Sequence, residues 1–226
     1  MEEKIKRVIN NFKEKNPNAS INKILDRGIC CAENNPVNEI LFTGINPYYD
    51  EARKGDDISF KLINADGKLR WRIIKDLLGD LLPKTAYLDL FPLKETISES
   101  LGRLMPMELK VDLLKITQEE IERINPKLII VGNRTSRAYW GAMQKYPWMG
   151  YKFEQIESPL KKNVPVYRIA GLREDEDKIS LETDLQGTVV VFSSLSPYYP
   201  KEKTLSTEDV ECLYEFASEV EYNSIL

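Results

Sequence analysis

The chain contains no histidine. Ser–His–Asp triads, histidine metal sites and imidazole acid–base chemistry are therefore excluded, and any hydrolytic chemistry must rest on amides, carboxylates, hydroxyls or main-chain donors. Cysteine is scarce as well. Cys30, Cys31 and Cys212 cannot all pair within one chain, and two adjacent cysteines with one distant partner match no common zinc or iron–sulfur spacing. A reducing, cytoplasmic setting is expected, with no metal, iron–sulfur cluster or other cofactor. No uninterrupted apolar run approaches the roughly 18 residues that span a bilayer. The N-terminus, MEEKIKRVINNFKEKN, also lacks an apolar h-region, so neither a membrane segment nor a targeting segment is expected. Positive charge is not in excess: 32 Lys and Arg face 36 Asp and Glu, for a formal net charge of −4. That balance does not suit a protein gripping long stretches of phosphate, but it leaves room for a local basic groove.

What is present is enough for one core. At 226 residues and 42% hydrophobic, the chain reads as a single domain, 1–226, expected as a monomer. Ile5, Val8, Ile9 and Phe12 recur at helical spacing until Asn16-Pro17 stops them. A strand over 39–43 is followed by a polar stretch from Asp50 to Gly67. Leu69, Ile73, Ile74, Leu77, Leu78 and Leu81 then mark a helix ending before Pro83. TAYLDLFPL (85–93) predicts a second strand. Thr117 and Glu120 have capping-box spacing ahead of a short helix that Asn125-Pro126 terminates, and KLIIVGN (127–133) predicts a third strand. A helix is expected over 136–146. VPVYRIA reads as an edge segment, and GTVVVFSSLSP (187–197) as the fourth clear strand. Ser206 and Asp209 again have capping-box spacing, and Val210, Leu213, Ala217 and Val220 share one face of a final helix.

Strands separated by helices, with continuous apolar runs in place of alternation, predict an α/β fold: a three-layer α/β/α sandwich around a central four-stranded parallel sheet. Ligands of such sheets bind beyond the carboxyl ends of the strands. Three of the expected strands end there in polar or turn-forming residues: Gly44-Ile45-Asn46-Pro47, Asp89 with Pro92, and Ser194-Leu195-Ser196-Pro197.

GINPY, then a strand carrying DLFPL, then LIIVGN, and finally SLSP after an apolar strand resemble, in order and across most of the chain, the uracil-DNA glycosylase superfamily. GINP is similar to the first motif of its mismatch-specific branch, and Tyr48 to the main branch. LDLFPL is similar to the strand of single-strand-selective relatives that carries an asparagine, and SLSP to the motif that carries a histidine. The resemblance implies a monofunctional glycosylase acting on a flipped, damaged or deaminated base in DNA, with DNA as the partner. It places Asn46 as the amide that orients water at the anomeric carbon. Gly44 allows close backbone approach, Pro47 stiffens the loop and Tyr48 walls the pocket, with Ile45 between them. Phe60 falls where the family stacks a ring on the flipped base, although a core phenylalanine fits as well.

Two departures matter. Asp89 stands where an asparagine is usual. An ionised carboxylate there favours an amino-bearing base, a protonated one restores a uracil-like reading, and a carboxylate bonded to nearby backbone reads nothing. Ser194 stands where the histidine would stabilise the departing base, and a noncatalytic or repurposed member that binds nucleic acid or a nucleotide is the alternative it raises. Ser193, Ser196 and the turn amides are candidates for a flanking phosphate, with Pro197 closing the motif, and Tyr198 and Tyr199 for a wedge in the duplex. Arg134 and Arg137, with the N-terminus of the helix they open, and Lys161, Lys162, Lys201 and Lys203 are candidates for backbone contacts, beside the plainer reading of solvated surface. Trp71, Trp140 and Trp148 read as core or partly buried anchors.

Overall fold

The computed structural model of the protein describes residues 1–34, 39–143, 148–175, 178–195 and 204–224. Among them the helices are α1 (Glu2–Lys15), α2 (Asn22–Leu25), α3 (Leu69–Leu78), α4 (Ser98–Leu104), α5 (Met107–Ile124) and α6 (Thr207–Ser224). The strands are β1 (Cys30–Ala32), β2 (Ile40–Gly44), β3 (Ile58–Phe60), β4 (Thr85–Asp89), β5 (Leu128–Val131), β6 (Tyr151–Ile156), β7 (Val166–Leu172) and β8 (Val189–Phe192). None of these helices is long and apolar enough to cross a membrane.

The main sheet has the order β4-β2-β5-β8-β7-β6. Its first four strands are parallel and are the four that the apolar runs predict. Every residue in them is buried, and alternate side chains go to opposite faces. Ala86, Leu41, Ile129 and Val190 form one lateral row and pack with α1 and α5. Tyr87, Phe42, Ile130 and Val191 form the next and pack with α3 and α6. Helices thus cover both faces. The chain runs from β2 to β4 through α3, then returns past β2 to β5 through α5, so the strand order reverses at β2, where doubly wound sheets open a crevice.

Several expectations are corrected. The sheet has six strands where four were expected. VPVYRIA contributes β7, which is not an edge: β7 lies antiparallel between β8 and β6, and β6 forms the border. In place of a helix over 136–146 there is a 3-10 helix, Arg134–Ala138. The chain turns at Gly141 (φ 98), where a side chain would press on the Tyr151 backbone at 2.8 Å. Residues 144–147 lie outside the described residues. Thr117 does not cap a helix. It lies inside the 18-residue α5, where its Oγ1 donates to Leu90 O at 2.9 Å. Asn125 does end that helix, in the left-handed conformation. The stretch from Asp50 to Gly67 holds β3, which pairs in parallel with β1 as a separate two-stranded sheet.

Candidate active site

Beyond the end of β2 the GINP loop stays zipped to the chain leaving β4. Leu90 N donates to Gly44 O (3.1 Å), Phe91 N to Ile45 O (2.9 Å) and Glu95 N to Pro47 O (3.0 Å). Asn46 is buried, and its Nδ2 donates to Pro47 O at 3.0 Å and to Glu95 O at 2.7 Å. An amide anchored through its nitrogen holds its oxygen in one direction, which is the property that orienting a small ligand requires.

Arg70, in the first turn of α3, organises the neighbouring end of β4. Its Nη2 donates to Asp89 Oδ1 at 2.7 Å and to the Tyr87 hydroxyl, which itself donates to the same Asp89 oxygen at 2.9 Å. Its Nη1 donates to the main-chain oxygen of Asn46 at 3.0 Å. Asp89 is almost wholly withdrawn, its side chain 2% exposed against 28% for Arg70. Burial works against the guanidinium charge, yet the Asp89 carboxylate above all holds Arg70 more basic than usual. Burial, opposed by Arg70 and reinforced by Asp89, pushes the Tyr87 phenol well above its ordinary value. Phe60 and Trp71 pack at 5.0 Å and each meets the Tyr87 ring, at 5.9 and 5.1 Å. This cluster explains Gly44, because a Cβ there would lie 1.9 Å from Arg70 Nη2 and 2.2 Å from Asp89 Oδ1.

The far bank is simpler. Gly132 N donates to Thr43 O (2.8 Å), Leu195 N donates to Gly132 O (3.2 Å), and Asn133 bridges Ser194. Asn133 Oδ1 accepts from Thr135 N at 3.0 Å and from Thr135 Oγ1 at 2.6 Å.

Between the banks lies a cleft of about 920 Å³. Of the residues singled out in the sequence, Gly44, Ile45, Asn46, Pro47, Tyr48, Phe60 and Ser194 line it. Tyr48 is exposed at its rim, with Lys68 Nζ 5.3 Å from its ring centroid. Asp89 is not a lining residue; it stands behind Gly44 and Arg70. The Arg70 guanidinium, paired with Asp89, lines the cleft in its place. Ser196, Pro197, Tyr198, Tyr199, Lys201 and Lys203 lie outside the described residues. Arg134 and Arg137 belong to a five-residue 3-10 helix, which offers no helix N-terminus for phosphate. Lys162 is committed to Asp209 and Thr204 O.

The sequence reading missed Arg70, Thr43 and Lys94, all of which line the cleft. Nothing in the sequence singles out Arg70, since Arg72 shares the first turn of the same helix. Lys94 is buried, with Nζ donating to Arg53 O at 3.0 Å and to Asp56 O, and burial lowers its basicity. Burial, with Asp89 next, pushes the Cys30 thiol up to about 12, so it supplies no thiolate at neutral pH. No protein-family model matches this chain, and comparison with curated proteins gives no match.

Proposed function

We propose that the protein is a glycosylase-type hydrolase of the uracil-DNA glycosylase kind, which takes a flipped base of DNA into this cleft and releases it. The observation that carries the reading is convergence. Asn46 after β2, Phe60 on β3 and Ser194 after β8, from three separated segments, line one cleft beyond the carboxyl ends of parallel strands. The volume suits a base with its sugar, and the lining of Tyr48, Phe60 and Trp71 beside Asn46 and Ser194 offers ring faces and polar groups together.

In this reading Asn46, fixed through its nitrogen, orients a water at the anomeric carbon. The water oxygen bonds to that carbon and the C–N electron pair leaves with the base. The water gives up one proton and the base takes one from solvent. Asn46 supplies position and no strong base, so the rate depends on how well the departing anion is stabilised. Ser194 offers at most a hydroxyl for that purpose.

Oligonucleotides carrying uracil, hypoxanthine, xanthine or mismatched bases, scored for abasic sites, test the proposal. Release of at least one base, lowered about a hundredfold or more in Asn46→Ala, is the expected outcome. Binding without release across the panel would sink it. The alternative, a noncatalytic nucleic-acid or nucleotide binder, would then stand, and one observation favours it: Arg70 and Asp89 are already paired where a base-reading amide was expected.

A further inference from the structure

Arg70 has unspent capacity. A guanidinium carries five N–H groups, and three of Arg70's are committed: two on Nη2, to Asp89 and Tyr87, and one on Nη1, to Asn46 O. Its Nε–H and second Nη1–H have no acceptor among the described residues, and the side chain lines the cleft while remaining partly exposed. Donors left over on a cleft-lining guanidinium that is otherwise held in place suit a polar ligand edge.

The carboxylate behind Arg70 matters to this argument. Asp89 Oδ1 and the Tyr87 hydroxyl hold Nη2, the Asn46 carbonyl holds Nη1, and the rings of Trp71 and Tyr87 lie 5.4 and 5.5 Å from the guanidinium carbon. A guanidinium so held keeps its remaining donors in fixed directions, and donors of fixed direction discriminate. An oxygen acceptor satisfies them, whereas an exocyclic amine would set donor against donor.

We propose that Arg70 reads the bound base, donating from its uncommitted N–H groups to a ring carbonyl oxygen. Bases with a carbonyl at that edge are accepted, and bases with an amine there are rejected. The same bond strengthens as the base gains negative charge on leaving, so Arg70 also supplies stabilisation that Ser194 gives weakly. The proposal rests on the cleft being a base-binding site.

The test uses short single-stranded oligonucleotides in matched pairs, uracil against cytosine and hypoxanthine against adenine, with binding and base release measured separately. Wild type is expected to bind the carbonyl member about tenfold tighter or more, the scale of one well-formed contact to a base edge. Asp89→Asn should keep that preference, because Asp89 stands behind the reading group. Arg70→Gln with Asp89→Asn, which removes both buried charges together, should abolish it. Arg70→Lys, which keeps the charge but not the planar donors, should weaken it and serves if the double variant does not fold. Equal binding by wild type, a preference that survives both Arg70 replacements, or one reversed by Asp89→Asn alone would overturn the role of Arg70. Discriminating binding without release would sink the hydrolytic reading and leave Arg70 in place. Release without discrimination would do the reverse, and no binding of any member would overturn both.

Discussion

On the β2–β4 bank of the cleft, side chains from three elements close on one another: Arg70 of α3, Tyr87 and Asp89 of β4, and the loop carbonyl of Asn46. On the β5–β8 bank the chain is held mostly by its own backbone, through Gly132, Asn133 and Leu195. The first bank is a polar cluster taken out of water, in which each group is stable only while its partners remain. The second is a main-chain turn braced by short-range bonds, such as those of Asn133 to Thr135 and Ser136. Losses should therefore be large and coupled on one bank, and small and separable on the other.

The two glycines that end adjacent strands give the sharpest contrast. In Gly44→Ala the new methyl would fall within 2.2 Å of both Arg70 Nη2 and Asp89 Oδ1, so the variant must break the pair or move the strand. A loss of about 3–5 kcal/mol is expected, as when a buried pair is disrupted. In Gly132→Ala the methyl would meet two carbons of the Phe42 ring at 2.6 Å, an apolar overpacking worth about 1–3 kcal/mol. Urea midpoints for the two variants decide the point. Equal losses would show that the ion pair adds nothing to the rigidity of its bank.

Asp89→Ala should come next, at about 3 kcal/mol, because it leaves the Arg70 guanidinium beside a buried hydroxyl without its counter-charge. Asp89→Asn keeps an acceptor for Arg70 and should cost less. Ser194→Ala, on the other bank, should cost about 1 kcal/mol or less. Thermal melts of the three variants would break the comparison if Ser194→Ala matched Asp89→Ala.

Asn46→Ala separates stability from chemistry. It removes two hydrogen bonds to main-chain oxygens, about 1–2 kcal/mol in stability. Under the proposed function it should lower base release by about a hundredfold or more, with much less effect on oligonucleotide affinity. Equal losses in rate and affinity would assign Asn46 to binding alone.

The parallel strands were legible because burial on both faces leaves uninterrupted runs such as LIIV and VVVF, a signal that needs no partner to interpret. β6 was not, since Tyr151–Ile156 mixes charged residues with aromatic ones and forms a strand only through β7. Thr117 misled for a related reason: a Thr-x-x-Glu spacing marks a helix start only where the preceding residues are not helical, and α5 had begun ten residues earlier, at Met107. At the site, GINP and Ser194 could be found from the ends of strands, because strand order brings those ends together. Arg70 could not, since its role depends on α3 packing against the face of the sheet that carries Tyr87. What the pattern of strands and turns conveys is which main-chain positions border the cleft. Which side chain fills the cleft floor is set by tertiary packing, and for that reason Asp89 was expected at a surface that Arg70 lines.

The smallest expected effect lies outside both banks, at the start of α6, where Ser206 N and Oγ donate to Asp209 Oδ2 at 2.7 and 2.8 Å, Asp209 N donates to Ser206 Oγ at 3.3 Å, and Lys162 donates to the same carboxylate. This is the capping arrangement that the spacing of Ser206 and Asp209 predicts. Burial acts against the Asp209 charge, but Lys162 and the Ser206 donors together hold its pKa below the ordinary 3.8. A carboxyl group whose folded value lies below its unfolded one contributes stability that is complete above the unfolded value and is lost as pH falls through the folded value. Wild type should therefore lose stability below about pH 4, where Asp209 protonates, and Asp209→Asn should be less stable at pH 7 by about 1 kcal/mol, the usual worth of a cap. Toward pH 2 the gap between the two proteins should narrow, because the wild-type advantage is the part that titrates. Melting temperatures of both from pH 2 to 7 check the sign. A gap that stays constant across that range would mean that the Asp209 charge contributes nothing to stability.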